Sequence, residues 1–255
     1  MSDADRDYQC RVVAFAAVVA TVVSTVFAQA TSVRYHRGRK PHELAWTVAL
    51  ALFALASVAL FLGASTGWDG GTYRAFFLLG AVLNVPWLAL GTVYLMGGRR
   101  LADRVRTGLV FFSGLAVGAL LSTPIHGTLP DERIPVGKEH LDALPRILAA
   151  VGSGLGATVL LVGALTSSVR YLGRRGRGEP GAARLAGANG LIALGTLVLS
   201  SGGLVQGRVA NIDKDEAFAI CTATGISVIY AGFWIASLSG VPSRSARRST
   251  LPANV

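Results

Sequence analysis

The feature that most constrains this chain is a basic cluster followed at once by a long apolar run. The cluster contains Arg34, Arg37, Arg39 and Lys40, and residues 44–63 contain no charged side chain. About 20 apolar residues in a helix are enough to cross the hydrocarbon core of a bilayer. Lys and Arg residues beside such a helix are retained on the cytoplasmic side. The stretch therefore predicts a transmembrane helix that begins at the cytoplasmic face.

Six further apolar runs resemble this one and predict seven spans in all. The chain is 52% hydrophobic and only 15% charged, whereas soluble domains carry roughly 25% charged residues. Because lipid offers the backbone no hydrogen-bond partner, unbroken runs of this length favour helices. We expect an all-α polytopic membrane protein, a seven-transmembrane-helix bundle over residues 1–240 with a disordered basic cytoplasmic tail over 241–255. The predicted spans are approximately 12–30, 44–64, 75–96, 107–125, 147–169, 186–206 and 217–239.

The basic residues between the runs predict the orientation of the chain. Of the 24 Lys and Arg residues, 16 lie in the loops 31–43, 97–106 and 170–185 and in the C-terminal tail. The positive-inside rule then places the N-terminus outside and the C-terminus inside. The excess of Arg over Lys is typical of a GC-rich genome, and we expect the inner (plasma) membrane of a bacterium. The net charge of +10 does not predict nucleic-acid binding, because the charges lie in short loops between apolar runs.

Ionisable side chains are absent from the interior of all seven runs. Such residues at membrane depth mark proton relays, ion paths and counter-ion sites. Their absence argues against a proton-driven pump, an intramembrane metalloprotease and a retinal protein. The chain also lacks a phosphate-binding Gly-x-x-x-x-Gly-Lys-Ser/Thr loop. We therefore expect no cofactor.

The most polar interior position is Asn84, near the middle of the third run, two residues before Pro86 and three before Trp87. Pro86 has no N–H to donate to the carbonyl of Val82, which predicts a kink. An amide beside a freed carbonyl and an indole ring forms a candidate ligand-binding site. The alternative is that Asn84 bonds a neighbouring helix or the broken turn, a contact worth roughly 0.6–2 kcal/mol.

Small residues recur at helical spacing and favour close helix packing. Two pairs have the Gly-x-x-x-Gly spacing, and the sixth run holds a cluster of Gly and Ser for which a broken helix at a binding site is the alternative. The residues are Gly114 and Gly118, Gly152 and Gly156, and Gly195, Ser200, Ser201, Gly202 and Gly203.

The remaining reactive side chains lie in loops or near run ends. His36 and His42 are predicted to be interfacial, and Cys10 and Cys221 both map to the outer half, where a disulfide is an open alternative. Ala28-Gln-Ala30 resembles a signal-peptidase site, but the region before it is not positively charged, so the first span is retained. The loop 126–146 is expected to be a solvated acidic loop without a metal site, since the spacing of its side chains matches no ligand motif. Its candidates are His126, Asp131, Glu132, Glu139, His140 and Asp142.

The helical layout resembles the uncharacterised seven-helix membrane proteins of high-GC bacteria. The basic first inner loop that ends in Arg-Lys-Pro-His-Glu-Leu-Ala-Trp (39–46) is more loosely similar to the seven-helix sensor module of bacterial signalling kinases. That second resemblance implies a sensing function. No kinase or cyclase sequence follows residue 240 here.

Two functional hypotheses follow. The first is a non-enzymatic membrane protein that senses a ligand or docks a cytoplasmic protein partner through its basic inner loops, with Arg34, Arg37, Arg39 and Lys40 contacting lipid or partner. The second is a small-solute transporter with a midplane site near Asn84. An enzyme is disfavoured because acid–base chemistry needs a positioned titratable group, and only the loops offer one. A polar cavity open alternately to each side favours transport, whereas a closed core favours sensing or docking.

Overall fold

The computed structural model describes residues 3–130, 133–177, 179, 181–208 and 214–238, and this part of the chain contains helices and no strand. Seven helical segments are long and apolar enough to cross a membrane, which confirms the all-α, seven-helix prediction. The tail 241–255 lies outside the described residues. The helices are α1 Asp3–Gly38, α2 Pro41–Thr66, α3 Gly70–Phe76, a π-helical segment Phe77–Leu83, α4 Asn84–Met96, α5 Arg99–Ser122, α6 Gly137–His140, α7 Ala143–Gly176, α8 Ala182–Arg208 and α9 Lys214–Leu238.

Local sequence signals determine one end of the third and fourth helical segments. Helix α5 ends at Ser122, three residues before the approximate limit predicted for the fourth span, because Pro124 disfavours a helical conformation in the residue before it. The third segment begins at Gly70, five residues before the predicted span 75–96, because Asp69 caps it. The Asp69 carboxylate accepts hydrogen bonds from the backbone N–H groups of Gly71 (2.7 Å) and Thr72 (3.0 Å). Hydrogen bonds from the Thr72 hydroxyl and these amides hold the pKa of the Asp69 carboxyl below its usual value.

Six of the seven spans form a closed ring. The order around the ring is α1, α2, the third span (α3, the π segment and α4), α7, α8 and α9, with α9 packed against α1. Helix α5, although it directly follows α4 in sequence, packs on the outside of α4 and α7. Apolar side chains of α5 such as Phe111 and Leu121 are 77% and 67% exposed. Lipid is the medium that suits such a surface.

Helices α8 and α9 touch backbone to backbone along a row of glycines. A Cβ atom added at Gly195 would lie 2.7 Å from the carbonyl oxygen of Gly225, and one added at Gly225 would lie 2.9 Å from the oxygen of Gly195. Gly202 lies seven residues after Gly195 in α8, and Gly232 lies seven residues after Gly225 in α9. Both continue the close contact between the two helices. Helix α8 is unbroken from Ala182 to Arg208, so the small residues of the sixth run serve packing.

The two Gly-x-x-x-Gly pairs differ. Gly152 and Gly156 of α7 face the third span, where added Cβ atoms would meet backbone oxygens of Val82 and Val85 at 3.1 and 3.0 Å. Nothing lies within 4 Å of a Cβ added at Gly114 or Gly118. The prediction of close packing was therefore wrong for the pair in α5, because α5 presents that face away from the ring.

These contacts predict opposite effects for two Gly-to-Ala substitutions. Gly195→Ala forces a methyl group into a backbone of α9 that cannot yield, and overpacking of this kind costs about 1–3 kcal/mol. Gly114→Ala meets open space and gains up to about 1 kcal/mol of helix propensity. Thermal unfolding of both variants in the same detergent should show a lower midpoint for the first and an equal or higher one for the second. Equal losses at both positions would contradict the packing order.

Candidate functional site

The basic end of the bundle is the end that carries the turns 38–41, 97–98 and 177–181. The first of these turns joins α1 to α2 and contains Arg39 and Lys40 of the basic cluster, while Arg34 and Arg37 lie in the last turns of α1. Helix α1 ends at Gly38, and α2 begins at Pro41, whose missing N–H suits the first helical position. Only Arg39 and Lys40 connect the two helices. A connection of two residues is too short to fold back into the bundle, so both residues lie at the surface of its basic end.

Arg39 adopts a left-handed backbone conformation with φ of 49°, and it is the one non-glycine residue with positive φ in the described part of the chain. Its N–H donates to the carbonyl of Tyr35 at 2.7 Å, which closes the last turn of α1. Glycine normally occupies this position at a helix C-terminus, because a Cβ in the left-handed region costs roughly 1–2 kcal/mol. A charged, strained residue therefore stands where the fold would accept glycine.

The four residues of the basic cluster are not equivalent. Arg34 is half-buried, and its guanidinium carbon lies 4.3 Å from the ring centroid of Phe233 in α9. Arg37, Arg39 and Lys40 are exposed, and no carboxylate of the described residues lies within ion-pair distance of them. Arg34 thus packs against α9, whereas the other three present cationic groups at the surface, with the Arg39 guanidinium carbon 5.6 Å from the ring centroid of Tyr35.

Glu43 lies directly behind this turn and is 6% exposed. One of its carboxylate oxygens is 3.7 Å from the Nε2 atom of His42, and the other has no hydrogen-bond partner in the described structure. Arg34 and Lys40 attract the carboxylate electrostatically without a direct ion pair. A buried, half-satisfied carboxylate beside exposed cations is unusual, because an uncompensated buried charge is costly.

Sequence reasoning assigned Glu43 no site role. The signal that was available is its spacing, since Glu43, Leu50 and Ser57 lie seven residues apart, and all three are buried on one face of α2. Thr47 supports the same face, because its hydroxyl lies 2.8 Å from the carbonyl oxygen of Glu43 and 2.9 Å from the hydroxyl of Thr31 in α1. His42 is half-buried with its ring 5.3 Å from that of Trp46.

The second predicted site, Asn84 with Pro86 and Trp87, lies where the π segment joins α4. Asn84 is 8% exposed, its N–H donates to the carbonyl of Leu79, and its side chain forms no hydrogen bond to any described residue. The Trp87 indole N–H donates to the hydroxyl of Ser113 in α5 at 3.2 Å, so this ring is engaged in packing. The three residues are thus adjacent, but each faces different surroundings.

The break in the third span begins earlier than the predicted kink at Pro86. In the π segment, hydrogen bonds run from residue i to i−5, as from the Asn84 N–H to the carbonyl of Leu79. Pro86 lies just beyond this segment in α4 and has no N–H to donate. The hydroxyl of Ser153 in α7 donates to the carbonyl of Ala81. The carbonyl of Val82 points toward Gly152. Both exposed carbonyls therefore face α7.

The loop 126–146 folds over the opposite end of the bundle, so the prediction of a solvated loop was wrong for much of it. Ile134 and Leu141 are buried, and the Ile134 N–H donates to Asp215 at 2.7 Å. Apolar residues between the charged ones drive this burial. His126 and Asp142 form an exposed contact of 2.9 Å. The predicted candidates Asp131 and Glu132 lie outside the described residues.

A buried polar pair lies under that loop. Tyr73 is fully buried and His140 is 6% exposed, with ring centroids 6.0 Å apart. The His140 Nδ1 atom lies 2.9 Å from the carbonyl oxygen of His126, whereas His140 Nε2 and the Tyr73 hydroxyl have no partner in the described structure.

Cys10 and Cys221 are not joined by a disulfide. Among the described residues, no three His, Cys, Asp or Glu side chains are close enough to share a metal ion.

Comparison of the chain with protein families, with curated proteins and with solved structures finds no match.

The contact of Arg34 with Phe233 and its electrostatic attraction to Glu43 predict a non-additive pair of substitutions. Arg34→Gln removes a cation from a ring and from a buried carboxylate, and we expect a loss of about 1–3 kcal/mol. In a Glu43→Gln background the same substitution should cost less, because no buried charge is left behind. The measurement is a double-mutant cycle by chemical unfolding. Arg37→Gln is the matched control and should change stability little; strictly additive effects would show that Arg34 and Glu43 are independent.

Proposed function

We propose that this chain is a non-enzymatic, multi-pass protein of a bacterial inner membrane that docks an acidic segment of a cytoplasmic protein at the turn between α1 and α2. The observation that carries the proposal is Arg39, a cationic residue in a left-handed conformation beside exposed Lys40 and Arg37. Backbone strain of this kind persists where the surrounding structure imposes it, and it concentrates at functional positions.

The charge distribution at the turn supports an acidic partner. Arg37, Arg39 and Lys40 have no carboxylate partner of their own in the described structure, so their charges are available. Guanidinium groups form paired hydrogen bonds to carboxylates, which gives them geometric selectivity beyond charge. Because Arg39 and Lys40 connect two long helices directly, the backbone at both positions is fixed before binding. Preorganisation of this kind reduces the entropy lost on association.

The turn is also connected to the interior. Glu43 lies three residues after Lys40, and Arg34 lies on the preceding turn of α1 in contact with Phe233 of α9. A carboxylate brought to the turn by a partner competes with Glu43 for the same cations. Docking at this surface would therefore alter the electrostatic balance at the junction of α1, α2 and α9, which is the kind of event a sensor protein uses.

Substitutions at the turn should change the free energy of unfolding and the binding of an acidic peptide in different ways. Arg39→Gly should preserve the thermal midpoint or raise the free energy of unfolding by up to about 1 kcal/mol, because glycine adopts positive φ without strain. The triple variant Arg37→Gln, Arg39→Gly, Lys40→Gln should bind a fluorescent oligo-glutamate peptide at least tenfold more weakly than the wild type. The measurement is anisotropy in nanodiscs of phosphatidylcholine, which carries no net charge, at fixed ionic strength.

The matched control is a triple Arg→Gln variant at another turn of the basic end, at Arg174, Arg175 and Arg177. It removes the same net charge from a different turn. If the peptide docks at the turn between α1 and α2, this variant should retain most of the peptide binding. If both triple variants weaken binding equally, the interaction is non-specific attraction to the basic end, and the docking proposal fails.

A small-solute transporter remains the second candidate, and the unbonded amide of Asn84 in a break of the third span favours it. Broken helices with freed backbone groups form substrate sites in transporters. If Asn84 only fills space, Asn84→Leu should raise the free energy of unfolding by about 1 kcal/mol, since a buried amide without a partner is removed. If it contacts a solute, the wild type should be stabilised by that solute in a thermal-shift screen, and Asn84→Leu should not.

A further inference from the structure

An apolar groove of about 390 Å³ lies on the outside of the ring at the basic end, where α4, the start of α5 and α7 meet. This volume falls in the range of small-molecule sites, roughly 300–1,000 Å³. Its walls include Thr92 and Met96 of α4, Leu101 of α5, and Thr158, Val162 and Gly163 of α7.

The groove exists because α5 diverges from α7 toward the basic end. Farther from that end, Phe112, Ala116 and Ala119 of α5 pack against Gly152 and Leu148 of α7. Nearer the basic end, the turn Gly97–Gly98 places the start of α5 against α4. The Tyr94 hydroxyl of α4 donates a hydrogen bond to Asp103 of α5 at 2.7 Å, which keeps the two helices together. Thr92 rests on Gly163, where an added Cβ would lie 2.4 Å away. The space between α5 and α7 is thus left open and lined by small and apolar side chains.

The open side of the groove faces outward. Val162 is 56% exposed, Leu101 is 51% exposed and Met96 is 40% exposed. In a helix that crosses a bilayer, these side chains lie against lipid. An acyl chain can lie along a concave apolar surface of this size.

Helical spacing places two arginines beside the residues that line the groove. Arg104 lies one turn after Leu101 on the same side of α5, and Arg170 lies seven residues after Gly163 on the same side of α7. Helices α4 and α7 run parallel with Val85 beside Gly156 and Thr92 beside Gly163. Extending that register by two turns places Arg170 level with the start of α5. Both arginines are exposed, and neither has a carboxylate of the described residues within ion-pair distance.

The geometry points to a binding site for one anionic phospholipid, with an acyl chain in the groove and the phosphate between Arg104 and Arg170. Basic pockets between transmembrane helices are suited to anionic headgroups. The groove supplies the apolar half of the recognition and the arginines supply the charged half. The positive-inside rule places this site in the inner leaflet. It is separate from the turn between α1 and α2, so it does not depend on partner docking.

The experiment uses the full chain purified in detergent, with dioleoyl phosphatidylglycerol and dioleoyl phosphatidylcholine as probes of equal acyl composition. Bound lipid is counted by native mass spectrometry, and apparent affinity is measured by titration. We expect one phosphatidylglycerol to bind preferentially and to raise the thermal midpoint. Arg104→Gln with Arg170→Gln should weaken phosphatidylglycerol binding about fivefold for each arginine removed, with little effect on phosphatidylcholine.

Two matched controls separate the site from general effects. Val162→Trp fills the groove and should abolish the preferential binding, whereas Val110→Trp, 55% exposed on the opposite side of α5 from Leu101, should not. Arg106→Gln with Arg175→Gln removes the same charge from other faces of the same helices and should retain the preference. Equal binding of both lipids by the wild type, or equal losses in the paired variants, would overturn the proposal.

Discussion

The structure depends on how the third span satisfies its backbone carbonyls. An unpaired carbonyl in the hydrocarbon core costs several kcal/mol, and the π segment and Pro86 interrupt the regular i to i−4 hydrogen bonds of the third span. Helix α7 brings the Ser153 hydroxyl to the oxygen of Ala81, and the absence of a side chain at Gly152 lets α7 approach the oxygen of Val82. A bulkier residue at 152 would hold the helices apart. The break in one span therefore fixes which helix must lie next to it.

That requirement also explains the position of α5. The helix that follows α4 in sequence would normally be its neighbour in the ring, but α7 occupies the place beside the exposed carbonyls. Helix α5 is displaced to the outside, where Trp87 binds Ser113 and Tyr94 binds Asp103. The ring closes without it, through the glycine contact of α8 with α9 and the packing of α9 on α1. The outward groove between α5 and α7 is a direct consequence of this displacement.

The number and approximate extent of the spans could be predicted, because a charge-free run of about 20 residues has few other stable environments. The order of helices in the ring could not, since hydropathy is a property of each segment alone and the contact between Ala81 and Ser153 joins residues far apart in sequence. The burial of Glu43 could not be predicted either, because a charged residue in the first turn of a helix is usually exposed to water. Its seven-residue spacing from Leu50 was a usable signal. Residues 133–141 fold over the bundle because Ile134 and Leu141 are buried. The charged residues around these two made a solvated loop the expected structure.

The charges at the basic end serve two purposes that the sequence does not separate. Orientation in the membrane requires only that Lys and Arg be present near the ends of the spans, and it sets no condition on backbone conformation. Arg34 goes further, since its ring contact and its attraction to Glu43 make it part of the bundle. Arg39 differs from Arg34, because its left-handed conformation is one that glycine would adopt without strain and because its guanidinium contacts a ring of its own helix, that of Tyr35, and not another span. Topology would be equally well served by a cation one residue away. The position of Arg39 is therefore better explained by what it presents at the surface of the basic end than by how it orients the helices.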